Sequence, residues 1–340
     1  MTVAFAELGA RTNFTLLEGA SHPAEMVTTA AALGHAGIGV CDRNSLAGVV
    51  RAHVAAKDVK LRFVVGTRLE LDDGATYLTW PTDRESYGRL TKLLSLGRMR
   101  APKGQCQLSR AEMLDHAEGW VMAAVPPSLP DAPFAARLLA DARELRDRLA
   151  LPLLCSAAVV YDGADRHRLD ALTGMAAAAG AGLLATTDPR YHHPDRRRLA
   201  DVLTAIRLGV PVDRIGFAAD RNGERCLKSA QEMGRLFVAH PEALDNTIRV
   251  LDACSGFSLD QLRHEYPDEI LEPGRTPIET LTDRVHEAAG RRWLDGVPID
   301  IQKRIAHELQ LIEELSYAPY FLTVDEVVRF ARSRGILCQG

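Results

Sequence analysis

The feature that most constrains this chain is an alternation. Through residues 1–190, short apolar runs of strand length take turns with amphipathic stretches of helical length. The strand-like runs are residues 37–41, 62–66, 76–80, 120–125, 151–155 and 183–187. Helical patterns fill residues 23–33, 45–56, 84–96, 132–149 and 164–179. Most of them open near Ser, Asp or Pro, residues whose side chains or fixed φ start a helix. Strands alternating with helices of this length predict βα units and a mostly parallel sheet or barrel. Six or seven such units favour a barrel over an open sheet, although periodicity alone leaves the closure open.

Beyond Tyr191 the texture changes. A helix is expected over 199–208, a polar stretch follows through Asn222-Gly223, and two amphipathic segments run to Cys254. Turn-rich sequence then leads to Glu272-Pro273-Gly274-Arg275-Thr276-Pro277, which reads as a linker, and residues 278–331 are almost wholly helical before a short apolar run at 336–338. The expected division is a first domain of residues 1–272 and a second piece of residues 273–340.

Composition narrows the classes. The net charge of −4 argues against a strongly basic nucleic-acid surface over the whole chain. The six cysteines are scattered with no CxxC pair, which reads as reduced thiols and not as a disulfide framework or zinc ribbon. No basic region with an apolar core opens the chain, and no apolar run approaches the ~20 residues of a membrane span. A cytoplasmic protein with no membrane partner is expected.

In α/β barrels the functional side chains stand at the C-terminal ends of strands. Those ends carry Asp42-Arg43-Asn44, Thr67-Arg68 and Thr187-Asp188-Pro189-Arg190, and near the start lies Glu7-Leu8-Gly9-Ala10-Arg11-Thr12. By themselves these could be ordinary loop polars. In order and spacing, however, they resemble the polymerase-and-histidinol-phosphatase (PHP) domain that opens the C-family bacterial DNA polymerases. Where that domain has a working metal site, it carries a His-x-His pair, an Asp-His after a strand, a Gly-x-Glu on the next strand and an Asp-x-His near the end. Here the matching positions are Gly9 and Arg11, Asp42-Arg43, Gly66-Thr67-Arg68 and Asp188-Pro189-Arg190. The stretches Gly19-Ala-Ser-His-Pro23, Cys41 to His53, His264-Glu-Tyr-Pro-Asp-Glu269 and Phe321-Leu-Thr-Val-Asp-Glu-Val-Val328 resemble the error-prone branch of the family.

The resemblance implies a distorted (β/α)7-type PHP barrel followed by a mainly helical segment that begins the polymerase palm. It also implies that this chain is the N-terminal part of an error-prone DNA polymerase of damage-induced mutagenesis and translesion synthesis. The parent would use DNA, dNTPs and Mg2+, with a sliding clamp and mutasome accessory proteins as partners. The family's catalytic aspartates lie further along its sequence, and no such pair can be read into residues 273–340, so no polymerase catalytic residue is expected here. The other reading open to a PHP domain is a metal-dependent phosphoesterase or a 3′–5′ proofreading exonuclease.

The chemistry of the substitutions bears on that choice. Zinc, manganese and iron sites need imidazole, carboxylate or thiolate donors, whereas a guanidinium has no lone pair to offer. With Gly9, Arg11, Arg43, Arg68 and Arg190 at ligand positions, no metal is expected. Instead, Arg11, Arg43, Arg68 and Arg190 are expected to pair with Asp42, Asp188 and Glu7 across the barrel mouth, through charge-assisted hydrogen bonds. An arginine rim could also bind a phosphate or a nucleic-acid backbone. His192 and His193, being adjacent, would point to opposite faces of a strand, and His22, before Pro23, is expected at a helix start.

Overall fold

The computed structural model describes residues 3–263 and 274–338. The chain divides into two compact units, Met1–Leu262 and Arg263–Gly340. The expected boundary at 272/273, the stretch from His264 to Glu269, and Gln339 and Gly340 lie outside the described residues.

The first unit carries β1 (Ala6–Ala10), α1 (Pro23–Ala32), β2 (Gly37–Arg43), α2 (Val49–Asp58), β3 (Arg62–Glu70), β4 (Thr76–Pro81), α3 (Arg84–Arg100), α4 (Arg110–His116) and β5 (Trp120–Ala124). It continues through α5 (Ala132–Glu144), β6 (Leu154–Ala158), α6 (Asp165–Ala179), β7 (Gly182–Thr186), α7 (Arg197–Leu208), α8 (Ala230–Leu236) and α9 (Pro241–Ala253). The strands form one sheet in sequence order. Pairing is parallel between β1 and β2, β2 and β3, β5 and β6, and β6 and β7, while β4 runs antiparallel to both β3 and β5. This is the mixed α/β, seven-stranded, nearly closed barrel that the alternation implied.

Side chains of a strand alternate between its two faces, and here one face of all seven strands converges on a single buried cluster. Ala6 and Leu8, Cys41, Val64, Leu78 and Trp80, Val121 and Ala123, Leu154 and Leu184 meet there, with Val250 and Leu251 of α9 closing one side. The Trp80 indole N–H donates to the Leu8 carbonyl at 3.0 Å, so β4 reaches β1 across this interior and not only around the sheet. The opposite faces of β4 to β7 pack under the helices through Tyr77, Trp120, Met122, Cys155, Ala157 and Leu183, together with Leu90 and Leu93 of α3 and Leu172 of α6.

Three local features differ from expectation, each for a physical reason. Residues 6–10 form a strand that composition hides, because Ala-Glu-Leu-Gly-Ala carries a charged residue and a glycine although all five positions are buried. The sixth strand starts at Leu154 and not at 151, since Pro152 has no N–H for a ladder. Helix α4 has too short an apolar pattern to be seen, and its start is marked by the Ser109–Glu112 capping box.

The second unit consists of α10 (Pro277–Arg292), α11 (Ile299–Glu314) and α12 (Ala318–Ser333). Its small core is Leu281, Ala318 and Leu322, bordered by Ile278, Val285, Leu309 and Ile312. Arg284 on α10 donates to Asp325 of α12 at 2.8 Å. Among the described residues no helix is long and apolar enough to cross a membrane. All six cysteines are free thiols, and burial pushes the Cys155 and Cys254 thiols up to about 12.

Trp80 fits the interior because Gly66 stands opposite it. A Cβ at residue 66 would lie 2.6 Å from both the Cys41 Sγ and the Trp80 Cδ1. Overpacking a tight core costs about 1–3 kcal/mol. Gly66→Ala is therefore expected to lower the unfolding free energy of the barrel by an amount in that range, measured by urea unfolding followed through tryptophan fluorescence.

Candidate functional site

The C-terminal ends of the strands gather the residues singled out above, and the centre of the arrangement is Asp188. It stands two residues past the end of β7 and holds a left-handed φ of 45°, a conformation that short polar residues tolerate better than most. Its Oδ1 accepts from Arg11 Nη2 at 2.8 Å and from Arg68 Nη2 at 2.6 Å, and its Oδ2 from Arg225 Nη2. Arg11 also donates to the Asp188 carbonyl at 3.2 Å. Three guanidiniums thus share one carboxylate.

A second carboxylate, Glu18, gathers another three. Arg43 Nη1 stands 2.5 Å from it, Arg207 Nη1 3.3 Å and Arg11 Nη1 3.5 Å. Arg11 therefore bridges the two hubs and is almost fully buried between them. Burial of Glu18 opposes its charge, but Arg43, Arg11, Arg190 and Arg207 outweigh it and hold the carboxyl below the usual range. Arg190 turns to a separate partner, Asp220, at 3.1 Å.

The two remaining acidic residues behave differently from expectation. Asp42 makes no ion pair among the described residues. Its carboxylate accepts the Thr12 amide, the Thr12 hydroxyl and the Thr15 hydroxyl, each at 2.7 Å. Burial raises its pKa, and these bonds only partly offset the rise. Space for it depends on Gly48, where a Cβ would stand 2.6 Å from the Asp42 Oδ2. Glu7 likewise pairs with no arginine. It accepts from Gly9 N at 2.9 Å, Thr186 Oγ1 at 2.6 Å, Thr187 N at 2.7 Å and Thr187 Oγ1 at 2.9 Å. The reason is positional: both carboxylates sit fully buried on the strands, where hydroxyls and amides reach them and long arginine side chains do not. By spanning from β1 to the end of β7, Glu7 ties together the two strands at the ends of the sheet order.

Of the arginines, Arg11, Arg43 and Arg68 join the two hubs, whereas Arg190 stands with Asp220. Sequence reasoning missed Glu18, Arg207, Asp220 and Arg225. Arg225 lies 37 residues beyond Asp188 on a polar stretch with no periodicity. Only the tertiary fold, with the Arg190 amide donating to the Arg225 carbonyl at 2.9 Å, brings it in.

The histidines stand apart from this network. The His22 amide donates to Glu25 at 2.8 Å at the start of α1. His192 Nδ1 and Ser21 Oγ lie 2.7 Å apart, and His193 faces Asp195. Among the described residues no group of three or more His, Cys, Asp or Glu could hold a metal ion. The donor chemistry at the mouth does not fit a divalent cation either, because its surviving carboxylates are taken by guanidiniums, hydroxyls and amides.

Residues 7–151 match the PHP domain family, and residues 279–340 match the bacterial DNA polymerase III alpha NTPase domain. With the seven-stranded barrel, the first match defines the class: the first unit is a PHP domain. The chain as a whole is similar to bacterial error-prone DNA polymerases. It is 45% identical over 337 residues to the error-prone DNA polymerase of Caulobacter vibrioides, covering 99% of this chain and 31% of the relative. It is 47% identical over 338 residues to that of Sinorhizobium medicae, covering 99% and 30%. The chain therefore spans just under a third of the length of these relatives. Among solved structures, an amidohydrolase from Chromobacterium violaceum covers 68% of this chain and 97% of its own at 13% identity and a TM-score of 0.40, too loose a likeness to carry an argument.

The Glu18 hub generates a pH prediction. Its folded pKa lies below the unfolded 4.5, so its stabilisation is fully present above about pH 4.5 and is lost as the pH falls through the folded value. Glu18→Gln is expected to cost about 3 kcal/mol at pH 7, the usual scale for stranding buried charges. It should also flatten the loss of stability below pH 4.5, as measured by urea midpoints across pH 3–8.

Proposed function

We propose that this chain is the N-terminal portion of an error-prone, DNA-directed DNA polymerase acting in damage-induced mutagenesis and translesion synthesis, and that its PHP domain supports the polymerase without metal-dependent hydrolysis of its own. The observation that carries the second half is the occupancy of Asp188. Where a PHP metal site would keep this carboxylate for a cation, three guanidiniums hold it. Fixed positive charge on side chains takes the structural place of metal ions, and a rim of arginines repels a divalent cation.

The first half draws on the relatives' names and on the second matched domain. In this reading residues 273–340 begin the palm. The unit leaves Leu294, Val327, Phe330 and Leu337 exposed, apolar surface that the rest of a polymerase would cover. The parent protein would take DNA and dNTPs with Mg2+ at catalytic carboxylates outside these residues, in the cytoplasm, alongside a sliding clamp and mutasome accessory proteins. These 340 residues alone would not extend a primer.

One set of measurements tests both halves. The purified chain is expected to contain less than one zinc, manganese or iron per molecule by elemental analysis, to melt at the same temperature with and without EDTA, and to leave a model phosphodiester intact. The full-length reading frame is expected to extend a primed template with Mg2+. Two or more tightly bound metals per chain would overturn the supporting role, and a full-length protein inert on primed DNA would overturn the polymerase reading.

A further inference from the structure

On the outside of the barrel wall, away from the mouth, charge is distributed unevenly. From Arg84 to Lys103, along α3 and the turn after it, the chain carries six cations and one carboxylate, Glu85, although its net charge is −4. Asp83, just before, is the N-cap and accepts the Ser86 amide. The helix buries Ser86, Leu90, Leu93, Leu94 and Gly97, which leaves its opposite side to solvent.

Three of the six cations are engaged. Arg89 donates to the Glu118 carbonyl at 3.0 Å and stands 3.9 Å from Glu85, Arg98 donates to the Asn44 carbonyl at 2.7 Å, and Arg100 pairs with Glu112. The other three, Arg84, Lys92 and Lys103, are exposed and meet no carboxylate or hydrogen-bond partner among the described residues. Arg84 and Lys92 lie about 12 Å apart along the helix axis, with Gly88 four residues from each on the same side. Beyond the helix, the Gln105 amide donates to the Pro102 carbonyl at 2.9 Å and Gly104 takes a φ of 88°, a turn that holds Lys103 at its tip.

Helix stability does not account for these positions. The helix dipole favours cations in the last turn, which suits Arg98 and Arg100, but disfavours one at the first helical position, where Arg84 stands. Glycine inside a helix is unfavourable beside alanine. No packing demands it at Gly88, because a Cβ there would meet nothing within 4 Å. The glycine keeps the helix surface low between two cations, so an extended polyanion can lie close against it. A row of basic side chains along one helix is the electrostatic footprint of such a partner.

We propose that the outer face of α3, through Arg84, Lys92 and Lys103, binds the phosphodiester backbone of a nucleic acid. Single strand and duplex present the same backbone to these cations. The contact is made by charge and reads no base sequence. It needs neither the barrel mouth nor polymerisation, so its failure leaves the supporting role of the domain untouched.

Fluorescence anisotropy of the purified chain with a labelled single-stranded oligodeoxynucleotide, and with its duplex, tests this. Three neutralised phosphates give a logarithmic salt slope of about −2 on the single strand and about −3 on the duplex. Raising salt from 50 to 200 mM is therefore expected to weaken binding roughly twentyfold and roughly fortyfold, respectively. The tighter probe names the form. Replacing Arg84, Lys92 and Lys103 together by Gln should weaken binding about tenfold or more at low salt and flatten the slope. The same charge change elsewhere on the surface, at the exposed Arg146, Arg166 and Arg235, should leave binding as in the wild type. Gly88→Glu separates docking from folding: it should melt no lower than the wild type, because glutamate suits a helix better than glycine, yet bind more weakly. The absence of saturable, salt-sensitive binding of both probes overturns the proposal. So does wild-type affinity in the α3 triple variant or in Gly88→Glu, or an equal loss in the variant altered elsewhere.

Discussion

A carboxylate withdrawn from water needs a donor or a cation, and three buried ones and the partly buried Asp188 face that requirement at one end of this barrel. The structure meets it in two ways. On the strands themselves, Glu7 and Asp42 are satisfied by short-range donors from Thr12, Thr15, Thr186, Thr187 and the Gly9 amide. On the loops above, Asp188 and Glu18 are satisfied by arginines from β2, β3, α7 and the segments after β1 and α7. The division follows reach. A threonine hydroxyl serves a carboxylate on an adjacent strand, whereas a guanidinium on its long stem can span from one loop to another.

This arrangement also positions the ends of the barrel. β1 and β7 stand at opposite ends of the strand order. Glu7 joins them through side-chain bonds, Arg11 joins the loop after β1 to the one after β7 through Asp188, and Trp80 joins β4 to β1 through the interior. Closure therefore rests on polar contacts at the mouth and on aromatic packing below it. The PHP relationship and the charge cluster describe the same place in the fold from two directions, one through common sequence and one through electrostatics.

Much of this was legible in the sequence. The alternation of runs specified the βα units and favoured a barrel without closing it, because strand and helix periods differ and neither pattern fits the other element. The positions of Arg11, Arg43, Arg68, Asp42 and Asp188 at strand ends could be read by their order. What could not be read was partnership. Nothing in the local sequence says that Asp42 would meet hydroxyls and Asp188 three arginines, since a carboxylate's partner is chosen by the folded geometry. Arg225 and Glu18 lay on segments without periodicity, Arg207 lay on an expected helix whose docking the sequence did not reveal, and β1 was masked by the charged residue and the glycine that its closure role requires.

The sharing of Asp188 has a consequence for how such a mouth can change over generations. Residues that share one partner do not act additively. With Asp188 bound by Arg11, Arg68 and Arg225, the cost of losing one arginine depends on whether the other two are present, and the cost of losing Asp188 depends on all three. Substitutions here are therefore epistatic, and a metal-binding histidine introduced singly would leave its metal facing the repulsion of the remaining cations. On the proposed reading, in which arginine stands where metal would, such sharing acts as a ratchet, easier to enter by steps than to leave.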